Sequence, residues 1–202
     1  MAEKFVETKW FDLNTTASRP GDLDISYARL EWFRRKLNWG HRYLGVGQVP
    51  RQRWAVHLRK GLAEPAMVVQ LRPHLIVSSY TSEFDCVVML RFRDGLPAAF
   101  ELQDGGRLLS VNTFERPPAQ RSTAAPVERD IEYGGAPSSV WYNVHPLIAD
   151  FIAEDLAAVH VRKQEIDEHS WNRLEVLTLA YRSKYPRRFR AGNPYLSHVP
   201  AK

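Results

Sequence analysis

The spacing of apolar residues between positions 51 and 114 constrains the fold more than any other feature of this sequence. Over most of that stretch an apolar residue recurs at every second position, and successive side chains of a β-strand point to opposite faces of a sheet. The pattern predicts about five strands in succession, mostly antiparallel, each with one apolar face. The segments that carry it are residues 51–60, 66–72, 74–80, 84–93, 98–103 and 107–114.

The same alternation predicts which side chains form the core of the sheet. The residues expected to be buried on one face are Trp54, Val56, Leu58, Phe84, Val88, Leu90 and Phe100. Cys86 belongs to that face, where a thiol packs as a small, inert hydrophobe. The residues expected on the opposite face are Arg51, Arg53, His57, Arg59, Arg72, Asp85, Val87, Met89, Arg91 and Arg93.

A helix is expected before the sheet. It should begin near Asp22 or Asp24, because aspartate accepts backbone N–H groups at helix N-termini, and it should end at residues 38–40. Its predicted buried stripe consists of Tyr27, Leu30, Phe33 and Leu37, with Arg29, Arg35 and Lys36 outside.

A second helical region is expected after the sheet. Pro146 suits the first position of a helix, since its fixed φ is helical and the N–H that it lacks would have no partner there. Apolar residues then recur at helical spacing, namely Ile148, Ile152, Leu156, Val159, Ile166, Leu174, Leu177 and Tyr181. The polar stretch between the two halves of this set leaves open whether residues 146–184 form one bent helix or two.

These elements predict an α+β fold in which a mostly antiparallel meander sheet is flanked by an N-terminal helix and C-terminal helices, with extended arms. A length of 202 residues fits a single domain. Its predicted parts are an N-terminal arm (1–21), a helix plus sheet (22–114), an excursion rich in Pro, Ala, Ser and Gly (115–139), a helical region (140–184) and a basic C-terminal arm (185–202).

Composition bears on the compartment and on cofactors. The single cysteine can form neither an internal disulfide nor a thiolate metal cluster, which favours a reducing compartment. No run approaches the roughly 20 apolar residues of a membrane span, and the first residues lack the apolar stretch of a signal peptide. A cytoplasmic location without membrane contact is therefore expected. No metal or cofactor is expected, because the seven histidines lack the spacing of metal ligands.

Charge is segregated along the chain. Residues 29–60 hold nine basic groups and one acid, and residues 182–202 hold six basic groups and no acid, although the net charge is only +5. Such asymmetry indicates either an anionic partner or parts of the fold that neutralise one another. Trp32, Trp39 and Tyr43 lie within the first basic region, and basic groups with nearby aromatic rings suit phosphate backbones and unstacked bases.

The basic regions favour a non-catalytic interaction or assembly protein that docks on an anionic partner, either an acidic protein surface or a nucleic acid. The region 29–60 is expected to be the principal docking surface, and an oligomer or larger assembly is compatible with this role. A nucleic-acid-binding protein is the first alternative, and an ordinary solvated surface is the competing interpretation. The predicted binding residues are Arg34, Arg35, Lys36, Arg51, Arg53, Arg59, Arg91, Arg93, Arg187, Arg188 and Arg190.

A metal-dependent nuclease is the second alternative. Asp85, Glu101 and Gln103 occur in the order Asp, then Glu-x-Gln, on strands predicted to be neighbours. Carboxylates on one sheet face can hold a divalent cation that activates water. The order resembles that of restriction-endonuclease-like nucleases, whose third motif residue is normally lysine, so Gln103 departs from the pattern at the water-activating position. The competing interpretation is that the two carboxylates only neutralise nearby arginines, Arg91 and Arg93.

Overall fold

A computed structural model of the protein describes residues 17–37, 51–92, 96–115, 141 and 143–196. These residues form an α+β fold in which helices cover a six-stranded mixed sheet. The strands are β1 (Leu62–Gln70), β2 (Ile76–Thr81), β3 (Cys86–Arg91), β4 (Arg107–Glu115), β5 (Asn143–Ile148) and β6 (Arg190–Ala191). The helices are α1 (Tyr27–Leu37), α2 (Arg51–Lys60), α3 (Leu96–Ala99), α4 (Leu156–Gln164) and α5 (Glu168–Lys184), with 3₁₀ turns at Ala149–Phe151 and Pro194–Leu196.

The strand order in the sheet is β5-β4-β1-β2-β3-β6. Neighbouring strands are antiparallel except for β3 and β6, which pair in parallel, with Leu90 opposite Arg190. β1, β2 and β3 form a meander, but β4 returns to the other side of β1. The α+β class is therefore confirmed, and the predicted meander is found only for β1 to β3, because the described sheet is mixed and has six strands rather than about five.

The sheet is curled, so that its two outermost strands approach each other. β5 and β6 stand at opposite ends of the strand order. Nevertheless Arg190 of β6 donates hydrogen bonds to Oδ1 of Asn143 (3.0 Å) and to the carbonyl oxygen of Val144 (2.9 Å), both in β5. A flat sheet would hold these strands about 24 Å apart, at roughly 4.8 Å per neighbouring pair.

Both faces of the sheet are covered over its central strands. Every residue of β2 is buried. In β3, Val87 and Met89 were expected to face away from the core, but they are only 3% and 1% exposed. Helix α5 covers this second face, where Thr178 Oγ1 lies 2.6 Å from Ser78 Oγ. The solvated sheet face expected from the alternation is therefore wrong.

Residues 51–60 form helix α2 and not the first predicted strand. Trp54 and Leu58 are buried as expected, but residues four positions apart share one face of a helix as well as one face of a strand. His57, expected to face away from the core, is 2% exposed because it lies on the same helical face. Trp54 and Leu58 fit both periods, and the burial of His57 together with the partial exposure of Val56 distinguishes the helix from the strand.

Residues 98–103 do not form a strand either. Helix α3 ends at Ala99, and Glu101 adopts a positive φ of 49° in the turn that follows. Phe100 is half-buried, with its ring centroid 5.6 Å from that of Trp32 in an edge-on contact. Of the predicted core, Val56 and Phe100 are only partly buried, and the members confirmed as buried are Trp54, Leu58, Phe84, Val88 and Leu90.

Pro146 lies in strand β5, opposite Asn112 of β4, and not at the start of a helix. β5 is the outermost strand on its side of the sheet. At an edge, a residue that lacks an N–H group need not leave a ladder hydrogen bond unmade. The helical region predicted for residues 140–184 therefore begins with a strand.

The rest of that region contains two helices, which settles the question of one or two. Asp155 caps α4 and Asp167 caps α5, each accepting a backbone N–H of the first turn at 2.8 Å. Val159, Leu174 and Tyr181 are buried as the helical spacing predicts, whereas Leu156, at the start of α4, is 45% exposed. Each helix therefore starts at its own aspartate cap.

Helix α1 begins at Tyr27, later than the predicted start near Asp22 or Asp24. Leu30 and Phe33 are fully buried, as the helical spacing predicts. Tyr27 was expected in the same stripe, but its side chain projects from the first turn and is exposed. The helix therefore packs through its middle, and its N-terminal end contributes little to the core.

Candidate functional site

Two of the three arginines of α2 lie beside acidic residues that precede the helix. Arg51 forms an ion pair with Glu31 of α1 (3.1 Å), and Arg59 pairs with Asp24. Because these side chains are largely exposed, each pair contributes little to stability. Part of the basic charge of residues 29–60 is thus neutralised within the fold, which was one of the two interpretations of the segregated charge.

The expected basic strand face is not formed. Arg51 and Arg53 are two residues apart, and this spacing puts them on opposite sides of helix α2. Arg72 lies in the exposed turn after β1, and Arg91 ends β3. The predicted binding residues whose side chains lie outside the described part of the structure are Arg34, Arg35, Lys36 and Arg93.

Exposed basic residues are concentrated at the C-terminal end of α5 and in the loop that follows it. The guanidinium carbon of Arg188 lies 4.1 Å from the ring centroid of Tyr185, and Nζ of Lys184 lies 5.3 Å from the same centroid. Arg187 between them is also exposed. The sequence contains no Asp or Glu after Glu175. Lys184, Tyr185, Arg187 and Arg188 are named the C-terminal basic surface.

Residues 190–196 are packed into the fold, which corrects the expectation of an extended arm from residue 185. Arg190 is 3% exposed and bonds to β5, so it cannot contact a partner as the sequence suggested. Gly192 donates a hydrogen bond to the carbonyl oxygen of Arg91 (2.9 Å), and a Cβ at this glycine would lie 2.3 Å from the ring of Phe92. The segment therefore completes the sheet and anchors one end of the C-terminal basic surface.

His57 and Tyr195 attach this segment to α2. The Tyr195 ring packs edge-on against Trp54, with centroids 4.5 Å apart. Nε2 of His57 lies 2.9 Å from the carbonyl oxygen of Val111, which can only accept, so Nε2 carries the proton. Nδ1 then accepts from the Tyr195 hydroxyl (3.4 Å). Burial lowers the pKa of His57 to about 3, which keeps this imidazole neutral.

A second buried histidine, His145 on β5, contacts a buried carboxyl group. Both ring nitrogens of His145 face oxygens, with Nδ1 3.0 Å from the carbonyl oxygen of Pro194 and Nε2 3.4 Å from Oε2 of Glu115. The carbonyl oxygen can only accept, so Nδ1 donates to it. The second contact then needs one proton, held either by the imidazole or by the carboxyl group. His145 and Glu115 are 5% and 8% exposed, so this pair is enclosed.

Glu64 is the centre of a separate polar network, on the face of the sheet opposite to His145. Its Oε1 accepts from the backbone N–H of Ser82 (2.8 Å), and its Oε2 accepts from Nδ2 of Asn112 (2.7 Å). The network continues through the hydroxyls of Ser110 and Ser79, which are 2.8 Å apart. Burial raises the pKa of Glu64 to about 7, although these hydrogen bonds oppose the rise.

The residues of the nuclease hypothesis occupy turns and not neighbouring strands. Asp85 lies in the turn before β3 and accepts hydrogen bonds from Nε (2.8 Å) and Nη2 of Arg173 on α5. That guanidinium lowers the pKa of the Asp85 carboxyl. Glu101 and Gln103 are exposed in the turns that follow α3. The expected cross-strand partner Arg91 is therefore replaced by an arginine from a helix.

Several other expectations concern what the described part of the chain contains. Cys86 is buried, in agreement with its predicted place in the core. Among the described residues, no three His, Cys, Asp or Glu side chains are grouped as metal ligands. Within the same ranges, no helix is both long and apolar enough to cross a bilayer.

The buried polar groups were missed by sequence reasoning, although one of them carries a signal. Glu64 interrupts an apolar run at the start of β1, and a lone carboxyl group in such a run must find hydrogen-bond donors when it is buried. His57 carries no comparable signal, because its place depends on whether residues 51–60 form a strand or a helix. Comparisons of the chain with protein families, with curated proteins and with solved structures found no match.

Proposed function

We propose that the protein is a non-catalytic interaction or assembly protein that docks on an anionic partner through the C-terminal basic surface. The observation that carries the proposal is the grouping of exposed cations around one tyrosine ring, in a stretch of chain without any acid. A guanidinium presents a planar fork that matches carboxylate and phosphate groups. The preferred partner is therefore a surface that displays such groups.

The α2 surface is the weaker candidate for docking. Arg51 and Arg59 already have carboxylate neighbours, and an anionic partner would have to compete with Glu31 and Asp24 for them. The C-terminal basic surface has no acid nearby in sequence. The principal docking surface proposed here is thus different from the region 29–60.

The fold holds the C-terminal basic surface in place at both ends. On one side Lys184 ends helix α5, whose Leu174 and Tyr181 are buried. On the other side Arg190 is fixed between β3 and β5. A binding surface that is ordered before it meets its partner loses less conformational entropy on association.

The geometry at Tyr185 favours carboxylate or phosphate contacts over base stacking. Arg188 lies over the tyrosine ring, which is also partly buried. A nucleic-acid base that stacked on the same face would have to displace this guanidinium. A nucleic-acid-binding role is accordingly kept as the alternative, with contacts to phosphates and not to bases.

The enclosure of the titratable groups in the buried hydrogen-bond networks supports a role without catalysis. Glu64, His57, His145 and Glu115 are each less than a tenth exposed and are hydrogen-bonded inside the fold. A general acid or base must come within hydrogen-bond reach of the substrate proton. In this conformation these groups meet only other parts of the chain.

Binding of labelled anionic probes tests the proposal. The probes are a polyglutamate peptide, a single-stranded oligonucleotide and a duplex, followed by fluorescence anisotropy at several salt concentrations. The Arg187→Ala/Arg188→Ala variant should bind every recognised probe more weakly, and for nucleic acid the salt slope should fall by about one unit for each phosphate that the variant no longer neutralises. The matched control is Arg51→Ala/Arg59→Ala on α2, which should bind nearly as the wild type does.

Two results would contradict the proposal. One is a wild-type protein that binds none of the probes at low salt. The other is a stronger loss in the α2 control than in the Arg187/Arg188 variant, which would return the docking surface to the region 29–60. Preference for polyglutamate over both oligonucleotides would favour an acidic protein partner over the nucleic-acid alternative.

A further inference from the structure

Helix α5 carries the most exposed large apolar side chains of the described residues. Leu179 is 69% exposed and Val176 is 58% exposed, and they lie one turn apart in the middle of the helix. The opposite side of α5 packs on the sheet through Leu174, Thr178 and Tyr181, which are buried. Neighbouring exposed aliphatic side chains on an otherwise polar face can form the apolar part of a contact surface.

The residues around this pair follow the repeat of two packed helices. With Val176 at position a and Leu179 at position d of a heptad, the neighbouring core positions are Asn172 and Ser183, which are also exposed. If a twofold axis passes between Val176 and Leu179, Val176 of one helix lies opposite Leu179 of the other helix. Asn172 then lies opposite Ser183. The stripe is therefore complementary to itself when the helices run antiparallel.

Charge on α5 has the same symmetry. Glu175 and Arg182 both occupy position g of this repeat, and in an antiparallel pair the two g positions lie next to each other. Each Glu175 would thus meet Arg182 of the other helix. Among the described residues neither side chain forms an ion pair, although Arg107, whose pKa is raised first by its hydrogen bonds to Glu168, lies close enough to Glu175 for that carboxylate to raise it further.

The geometry points to a homodimer in which two copies of the chain pack α5 against α5, antiparallel about a twofold axis between Val176 and Leu179. The partner is a second copy of the chain because a single twofold rotation brings the apolar residues, the flanking polar residues and the opposite charges of two α5 helices into contact with each other. No residue of this interface belongs to the C-terminal basic surface. The inference therefore stands independently of the proposed function.

Sedimentation velocity over a range of protein concentrations tests the dimer. The wild-type protein should show a reversible monomer–dimer equilibrium. Val176→Glu and Leu179→Glu, which change exposed residues, should weaken dimerisation about tenfold or more and keep the circular dichroism spectrum. The matched control is Val161→Glu, which changes an apolar residue on α4 that is 51% exposed and should leave the equilibrium unchanged.

A charge exchange tests the antiparallel register. Glu175→Arg should weaken the dimer by placing two arginines together, and the addition of Arg182→Glu should restore it. A wild-type protein that stays monomeric at every concentration would overturn the inference, as would a dimer that survives Leu179→Glu or a charge exchange that restores nothing. A monomer that still binds the anionic probes would leave the proposed function in place.

Discussion

At the scale of single residues, burial moves the proton equilibria of Glu64 and His57 in opposite directions. The carboxyl group of Glu64 has a pKa of about 7 in place of 4.5, and the imidazole of His57 has a pKa of about 3 in place of 6.5. In both cases desolvation is the main cause, because a buried site disfavours the charged form of either group. The folded protein therefore prefers both groups neutral.

These shifts predict how stability depends on pH. Between about pH 4.5 and 7 the folded state holds a proton on Glu64 that the unfolded state has lost, so stability falls as pH rises, by about 3 kcal/mol in all. Between about pH 6.5 and 3 His57 binds a proton in the unfolded state but not in the folded state, so stability falls as pH decreases. From pH 4.5 to 6.5 the two contributions should cancel.

Urea unfolding at a series of pH values checks this cancellation in single variants. Glu64→Gln removes the Glu64 contribution, and only the His57 contribution remains. The free energy of unfolding should therefore increase with pH between about 3 and 6.5, by roughly 1.4 kcal/mol per pH unit. His57→Gln removes the His57 contribution, and only the Glu64 contribution remains. The free energy of unfolding should then decrease as pH rises between about 4.5 and 7. Variants that keep the wild-type profile would show that neither group is shifted by burial.

At the scale of elements, the strands that could be predicted from the sequence are those in which a regular pattern of residues extends over several positions. β2, β3 and β4 were predicted because apolar and β-branched residues recur along each of them, and such residues favour strands. Helix α2 was missed because the spacing of Trp54 and Leu58 satisfies both the helical and the strand period. β6 consists of two residues, and such a short segment becomes a strand only because the curled sheet brings β3 to it.

Among the candidate site residues, some could be predicted from the sequence and others could not. The exposed cations Arg187 and Arg188 were predicted from charge alone, because solvent exposure is the default for a charged side chain. Arg190 was wrongly grouped with them, since its burial depends on contacts with β5 across the whole sheet. Local composition carries no information about such contacts.

The separation of α4 from α5 supplies a prediction at this scale. Asp167 accepts hydrogen bonds from the backbone N–H and the hydroxyl of Ser170, and so caps α5. Asp167→Ala should cost about 1 kcal/mol, as the loss of an N-cap does. Thermal or urea unfolding measures this loss. The nearby exposed change Glu165→Ala should stay within about 0.5 kcal/mol, and an equal loss in both variants would contradict the capping role.

At the scale of the whole molecule, Arg190 joins the two edges of the curled sheet. Its guanidinium donates to Asn143 and Val144 of β5 while its backbone pairs with Leu90 of β3. Hydrogen bonds from a charged donor contribute about 1.5–3 kcal/mol each. One residue, through its side chain and its backbone, thus links three strands that are remote in sequence.

Replacing this side chain should loosen the closed sheet. Arg190→Ala should lower the free energy of unfolding by about 3 kcal/mol or more, because buried acceptors in β5 lose their donor. Hydrogen exchange should quicken at β5 and β6 before it does at β1 and β2. Arg187→Ala, a change of an exposed arginine three positions away, serves as the control. Equal exchange at all strands would show that Arg190 does not hold the edges together.

The pairing of β3 with β6 also has a kinetic consequence. Leu90 and Arg190 stand about 100 positions apart in the chain, so their contact closes a very long loop. Contacts of such wide sequence separation slow folding, because chain entropy is lost before the contact forms. The meander β1–β2–β3 needs only short connections and can assemble first. Until β6 arrives, the outer edge of β3 is open to strands of other chains, and refolding yield should fall with protein concentration.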